Sequence, residues 1–219
     1  MTVRAVVFDL DGVLVDSEGL WDDVRRDLAA SAGRGWPDGA TRAMQGMSTA
    51  EWSSYLTGTV GVPGAPEEVA REVVGRMAAR YRERLPLLPG AVAAVDRLAA
   101  DFVLGLASSS PRELIDTVLA AAGVAERFRA TLSTEQVSAG KPSPEVYEQV
   151  VRLLGVAPAD AVAIEDSSNG LRSAAGAGLG LIAVPHAAFP PARDALALAD
   201  VTVASLDDIT AALVRSVQA

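Results

Sequence analysis

The sequence predicts an α/β protein: a doubly wound, Rossmann-like parallel sheet with an all-helical insertion after its first strand. Three observations carry this expectation. From residue 90 onward, short apolar runs rich in Val, Leu and Ile alternate with stretches of helical spacing, the pattern of βα units that build a parallel sheet. A similar run, Val3 to Phe8 broken only by Arg4, lies near the amino terminus and reads as one further buried strand. Between the two, residues 17–86 show helical periodicity and no strand pattern. The expected division is an α/β core of residues 1–16 plus 87–219 and an all-helical part of residues 17–86.

The elements follow in order. After the first strand the chain breaks at Asp9-Leu10-Asp11-Gly12, whose Asp-Gly pair supplies turn chemistry. Leu20, Trp21, Val24 and Leu28 stand at helical spacing, and Gly33-Arg34-Gly35 ends that run. A short helix is expected around Thr41 to Met44, and Ser48 lies three residues before Glu51, as in a capping box. Pro66, at a favoured first-turn position, opens a helix that should run to Arg84, with Pro86 and Pro89-Gly90 closing it. Trp21, Trp36, Trp52, Tyr55 and Tyr81 all fall in this helical part, where a small module needs bulky side chains for its core. Arg71, Arg76, Arg80, Arg82 and Arg84 read as a solvated helix face. Helices over 91–100, 111–122, 143–154 and 171–177 then alternate with strands over 102–107, 130–132, 161–164, 180–184 and 201–203, and a last helix begins near Leu206. Sheets of this kind bind ligands beyond the carboxyl ends of their strands.

Bulk properties narrow the function. The chain has 219 residues, half of them hydrophobic, which is enough to bury a sizeable core. It has no cysteine, so disulfides and thiolate chemistry are excluded. A net charge of -9 argues against a nucleic-acid surface. No apolar run nears the roughly 20 residues a membrane span requires, and no leader is apparent, so a cytoplasmic location away from membranes is expected. The pattern does not read out an oligomeric state. Nineteen side chains are Lys or Arg, and all but Lys141 are arginine. An ammonium is a point charge on a flexible stem, whereas a guanidinium is a rigid fork, so the single exception points to a geometry that arginine cannot fill.

Four places have the makings of a site. Asp9 and Asp11 set two carboxylates at one strand end, where each raises the other's pKa unless a cation sits between them; a hard divalent ion such as Mg2+ answers that need. The strand over 102–107 runs into Ser108-Ser109-Ser110 just before a helix, and hydroxyls with free backbone N–H groups at a helix start cradle phosphate. Ser108 is expected to face ligand while a later serine caps the helix. Lys141 lies in Gly140-Lys141-Pro142-Ser143-Pro144, where two prolines should hold the backbone extended and fix the start of its stem. The strand over 161–164 ends in Glu165-Asp166-Ser167-Ser168-Asn169-Gly170, a second acidic strand end.

At these residues the chain resembles the haloacid dehalogenase superfamily. Its first motif is an Asp-x-Asp at the end of the first strand, and the match through Asp16-Ser17-Glu18 is similar to the branch with β-phosphoglucomutase and the phosphoglycolate-type phosphatases. The resemblance covers the whole chain and all four motifs occur in the family's order. It implies that Asp9 is the nucleophile and Asp11 the general acid/base. It assigns Ser108, with Ser109, and Lys141 to the phosphate. Mg2+ would be held by Asp9, Asp166 and the backbone carbonyl of Asp11, with Glu165, Ser167 and Asn169 orienting that shell. Arg42, Gln45, Gly46 and Met47 lie where related caps carry specificity residues. The implied activity is Mg2+-dependent hydrolysis of a small phosphomonoester, a sugar phosphate or similar metabolite, through an aspartyl phosphate. A dehalogenase or phosphonatase would not keep an acid at Asp11, and residues 17–86 contain no lysine for a phosphonatase Schiff base. A β-phosphoglucomutase-like mutase and a catalytically idle binding protein on the same fold remain as alternatives. The sole histidine, His186, is expected in a loop after the fifth strand.

Overall fold

The structure is a computed structural model that describes residues 2–44, 47–187 and 189–217. Six parallel strands form one sheet in the order β3-β2-β1-β4-β5-β6. They are β1 (Ala5–Phe8), β2 (Val103–Ser108), β3 (Phe128–Ser133), β4 (Ala161–Glu165), β5 (Gly180–Ala183) and β6 (Val201–Thr202). β1 is central, with Ala5 in register with Val103 on one side and with Ala161 on the other. The strand order reverses between β1 and β4, so two strand ends diverge there and leave the crevice in which open α/β sheets bind ligands.

Apolar side chains alternate between the two faces of the sheet, as a period of two requires. Val6, Phe8, Leu104, Leu106, Val162 and Ile164 belong to one buried cluster, and Ala5, Val7, Ala107, Ala161 and Ala163 to the other. The second cluster is closed by α7 (Glu145–Leu154) and α8 (Ser168–Gly176). Gly105 lets α7 approach: a Cβ there would lie 2.6 Å from a Val150 methyl. The first cluster is closed by α5 (Ala91–Ala99) and α6 (Arg112–Ala121) and continues without a break into the helices between β1 and β2. These are α1 (Glu18–Ser31), α2 (Ala40–Met44), α3 (Thr49–Tyr55) and α4 (Pro66–Glu83). Ser48 and Glu51 form the expected capping box at α3. The chain enters and leaves this helical stretch side by side: Asp16 N–H donates to Pro86 O at 2.8 Å and Leu88 N–H to Leu14 O at 3.0 Å.

Four local features depart from the sequence expectation. A wide π turn, Leu56–Val60, continues α3 before Gly61 stops it in the left-handed region. A short helix, α9 (Arg193–Leu196), lies between β5 and β6 and is too brief to show a period. The last helix, α10 (Ala211–Ser216), starts later than expected because residues 206–208 form only a tight 3₁₀ turn. The peptide between Lys141 and Pro142 is cis, where an extended run was expected. Among the described residues no helix is long and apolar enough to cross a membrane.

Candidate active site

Four of the strands, β1 to β4, deliver a polar group at their crevice-side ends. β1 continues into Asp9, whose N–H still donates to Ile164 O at 3.0 Å, so its carboxylate starts from a backbone locked in the sheet. β4 delivers Glu165 and Asp166, β2 delivers Ser108, and β3 ends in Ser133. Lys141 comes from the loop before α7 and reaches across to them.

Lys141 is the hub. Its Nζ donates to Asp9 Oδ1 at 2.7 Å, to Glu165 Oε1 at 2.6 Å and to Ala107 O at 3.0 Å. Only 4% of its side chain is exposed. Tyr147 Oη, 3.4 Å from the ammonium, donates to the same Glu165 oxygen at 2.8 Å. Burial alone would lower the lysine pKa, but Asp9 and Glu165 together outweigh it and hold the ammonium above its ordinary value. Burial first, then the charge of Glu165, pushes the Asp9 carboxyl up to about 8, with Lys141 pulling the other way. Asp166 is driven well above the usual carboxylate range, again by burial and then by Glu165 and Asp9.

Asp9, Glu165 and Asp166 offer carboxylate oxygens within 4.8 Å of one another, all buried. With all three carboxylates ionised, one ammonium would leave two negative charges in a desolvated space, which a divalent cation would neutralise. The donor set is all oxygen and therefore hard. Both Glu165 oxygens are already taken: Oε1 by Lys141 and Tyr147, and Oε2 by the N–H groups of Asp166 and Ser167 at 3.1 and 3.2 Å and by Ser167 Oγ at 3.2 Å. Asp166 Oδ1, in contrast, is buried with no hydrogen-bond partner among the described residues, an acceptor of the kind a hard cation fills. These residues fit a divalent ion, with Asp9 and Asp166 as its carboxylates and Glu165 holding the frame. Gly12 completes the fit: its φ is +78°, and a Cβ there would collide with the Asp166 carboxylate.

Asp11 is clamped by hydroxyls. Ser17 Oγ donates to its Oδ1 at 2.6 Å and Ser110 Oγ to its Oδ2 at 2.7 Å, with Ser108 Oγ at 3.4 Å from the same oxygen. The serine run therefore divides differently from the expectation. Ser108 is fully buried and accepts from Ser110 N–H at 3.0 Å, while Ser109 is the serine that lines the cavity. No serine caps α6, whose N-cap is Pro111. Ser110 Oγ turns to the Asp11 carboxylate instead. Ser133 Oγ supports this turn by donating to Ser110 O at 2.7 Å. Ser17 and Ser110 are thus partners of Asp11 that the sequence reading left without a role there. The neighbouring Asp16-Ser17-Glu18 match and the triple serine were the only signals.

A cavity of about 350 Å3 opens over these groups. Asp9, Asp11, Ser109, Lys141, Asp166, Ser167 and Asn169 line it, and so does Arg42. Ser167 also caps α8, accepting from Gly170 N–H at 3.0 Å. Glu18 and the loop Phe189-Pro190-Pro191 complete the wall, neither of them assigned to it from sequence. Burial and the nearby Asp11 charge push the Glu18 carboxyl upward. His186 lies in the loop after β5, stacked on Phe189, with Nε2 3.6 Å from Asp16 Oδ1. Met47 packs against the buried cluster, while Gln45 and Gly46 lie outside the described residues.

Comparison with known proteins bears on this arrangement. The model of the haloacid dehalogenase-like hydrolases matches residues 3–178. Hexitol phosphatase B of Escherichia coli K12 is 35% identical over 218 residues, covering 95% of each chain. A phosphorylated carbohydrates phosphatase of Thermotoga maritima is 30% identical, covering 81% of this chain and 82% of its own. The crystal structure of CbbY from Rhodobacter sphaeroides in complex with phosphate superposes with a TM-score of 0.85 at 28% identity, covering 97% and 99% of the two chains. With its four acidic, basic and hydroxyl stations on one sheet edge, the chain belongs to the haloacid dehalogenase-like hydrolases.

Proposed function

We propose that this hydrolase is a Mg2+-dependent phosphatase that cleaves a small phosphomonoester, a sugar phosphate or similar metabolite, through an aspartyl phosphate on Asp9. One observation carries the reading. A buried carboxylate, Asp9, is held by the only lysine in the chain beside an Asp166 oxygen that has no partner among the described residues, on a cavity that also presents Asp11 and Ser109. Asp9 attacks phosphorus in line and the ester oxygen leaves with a proton from Asp11. A water that gives its proton back to Asp11 then attacks the same phosphorus, which releases inorganic phosphate and restores Asp9. Lys141 and Ser109, with Ser108 behind it, oppose the charge on the phosphoryl oxygens. Asp9, Asp166 and the Asp11 backbone carbonyl would hold Mg2+, which would add to the neutralisation of that charge. Glu165, Ser167 and Asn169 keep those ligands in place.

In this reading residues 17–86 form a cap that excludes water and selects the ester, over a core of residues 1–16 plus 87–219. Arg42, with Gln45 and Gly46, is placed in that selecting role. The names of the relatives, a hexitol phosphatase and a phosphorylated carbohydrates phosphatase, support a carbohydrate ester. The mutase alternative is the weaker one, because residues 17–86 hold neither lysine nor histidine.

The test is phosphate release from an aryl phosphate with and without Mg2+. Turnover that requires the ion and is abolished by Asp9→Asn supports the proposal; absence of turnover, or turnover indifferent to Asp9→Asn, refutes it. Conversion of β-glucose 1-phosphate to glucose 6-phosphate with a bisphosphate activator would mark a mutase instead.

A further inference from the structure

Glu165 is the one acid of the buried cluster that the proposed reaction leaves without a direct part. One of its oxygens lies within 4.8 Å of oxygens of Asp9 and Asp166, so distance alone would make it a third ligand for the cation. Its acceptor sites are occupied instead. A carboxylate has about four lone-pair positions, and more donors than that converge here. Lys141 and Tyr147 reach Oε1; the N–H groups of Asp166 and Ser167, with Ser167 Oγ, reach Oε2. The same carboxylate is seated against Gly170, where a Cβ would overlap it.

These donors differ in what else they do. Two are backbone groups at the turn into α8, Ser167 Oγ also caps that helix, and Lys141 also holds Asp9. Tyr147 is left. It is fully buried on α7, and its hydroxyl donates to Glu165 Oε1 at 2.8 Å. An ammonium has three protons, and Lys141 directs them to Asp9, Glu165 and Ala107 O at 2.7, 2.6 and 3.0 Å. The 3.4 Å approach of its Nζ to Tyr147 Oη is the loosest of these contacts. The ring attracts the ammonium through its face, with Nζ 4.9 Å from the centroid. Ring and hydroxyl thus have separate tasks, the one toward Lys141 and the other toward Glu165. A purely structural account, in which a buried phenol meets the nearest acceptor, explains the bond. It leaves unexplained why the carboxylate so saturated stands beside Asp166, whose Oδ1 has no partner among the described residues.

The number of carboxylates left to the cation decides which ion fits. With Glu165 occupied, Asp9 and Asp166 remain. Mg2+ keeps several waters and is commonly held by one or two carboxylates, whereas Ca2+ gathers about six to eight oxygens and gains from each carboxylate added. Loss of the Tyr147 hydroxyl would vacate an acceptor site on Glu165 and raise the available carboxylates from two to three.

We infer that Tyr147 is a positioning residue whose hydroxyl keeps Glu165 out of the coordination sphere of the cation, so that the site favours Mg2+ over Ca2+. The inference rests on the cation site of the proposed phosphatase and adds the source of its selectivity.

The full chain, stripped of cations, is titrated with Mg2+ and with Ca2+ by calorimetry as wild type, Tyr147→Phe, Glu165→Gln and the double variant. Phenylalanine keeps the ring beside the ammonium and removes only the hydroxyl. Tyr147→Phe is expected to lower the ratio of the Ca2+ to the Mg2+ dissociation constant about tenfold, the lower end of what the partners of metal ligands contribute. In the Glu165→Gln background the same change should leave the ratio where it was. Infrared difference spectra give a second readout, on protein carrying an isotope label in its glutamate carboxyl groups. Mg2+ should shift no glutamate band of the wild type, and Ca2+ should shift one in Tyr147→Phe. Circular dichroism checks folding. If Tyr147→Phe does not fold, the wild-type spectrum decides, and a glutamate band moved by Mg2+ overturns the inference. A ratio unchanged in folded Tyr147→Phe overturns it too, as does a change that persists without the Glu165 carboxylate. Either result, with Mg2+ still bound by the wild type, leaves the phosphatase reading intact. A wild type that binds no Mg2+ removes the cation site and that reading with it.

Discussion

At the scale of residues, the electrostatics turn on Lys141. It pairs with Asp9 and Glu165 at once, at 2.7 and 2.6 Å, with almost no exposure. Lys141→Met would strand two buried carboxylates; breaking a buried pair in this way costs about 3–5 kcal/mol. Urea unfolding of the cation-free protein measures that loss, and phosphate release should fall by roughly 10^2 or more as the charge opposing the phosphoryl oxygens disappears. Asp9 gives a pH dependence of definite sign. Its folded value of about 8 lies above that of an ordinary carboxylate, so the folded state holds a proton that the unfolded chain releases. Without a cation, the Asp9 contribution to stability should therefore fall as pH rises from about 4 to about 8, and Asp166, raised in the same direction, adds a loss of the same sign. Lys141 is raised rather than lowered and stays charged across this window. A divalent cation bound at Asp9 would replace the proton, so the gain in thermal midpoint on adding Mg2+ should be larger at pH 8 than at pH 5; an equal gain at both would contradict this placement of Asp9. Asp9, Asp11, Lys141 and Asp166 stood out in the sequence because each signal is local: acid after an apolar run, or one lysine among arginines. The clamp on Asp11 did not. Ser110 stands 99 residues away from it, and which of three serines turns its hydroxyl toward an acid is decided by the approach of β2 to β1.

At the scale of elements, the strands were legible because buried parallel strands read as apolar runs bounded by breakers. The observed β1, β2, β4 and β5 differ from the expected ranges by one or two residues at most. Helices with a long apolar face, such as α1 and α4, were equally plain. The π turn at 56–60 and the four-residue α9 were not, since neither lasts long enough to establish a period. Gly105 shows what patterning omits. It sits in the middle of β2, where glycine ordinarily weakens a strand, and only the structure reveals α7 against it. Gly105→Ala should overpack the contact with Val150 and Leu154 and cost about 1–3 kcal/mol. Chemical denaturation measures the loss, and the stability should return in part in the double variant with Val150→Ala.

For the whole molecule, the topology does two jobs. Reversal of strand order between β1 and β4 opens the crevice that Asp9 and Asp166 share, and the side-by-side crossings at residues 14–16 and 86–88 hang the helices over it. The absence of strand pattern over residues 17–86 made that insertion readable. Its tight union with the sheet was not, because one apolar cluster runs from Phe8 to Trp52 through contacts no periodicity encodes. If residues 17–86 select the ester, replacing them by the corresponding segment of a relative with another preference should transfer the kcat/KM ranking across a panel of phosphate esters. The dependence on Mg2+ should stay as in the parent. A chimera that keeps the parent ranking would place selection in the sheet loops instead.

The lone lysine has a consequence for covalent chemistry. With every other basic side chain an arginine, the folded surface offers reagents and modifying enzymes no exposed ε-amine. Acylation of side-chain amines, which on most proteins scatters over the surface with little effect, has one address in this chain. That address lies beneath the reaction centre, so such a modification requires the site to open and removes its activity when it succeeds.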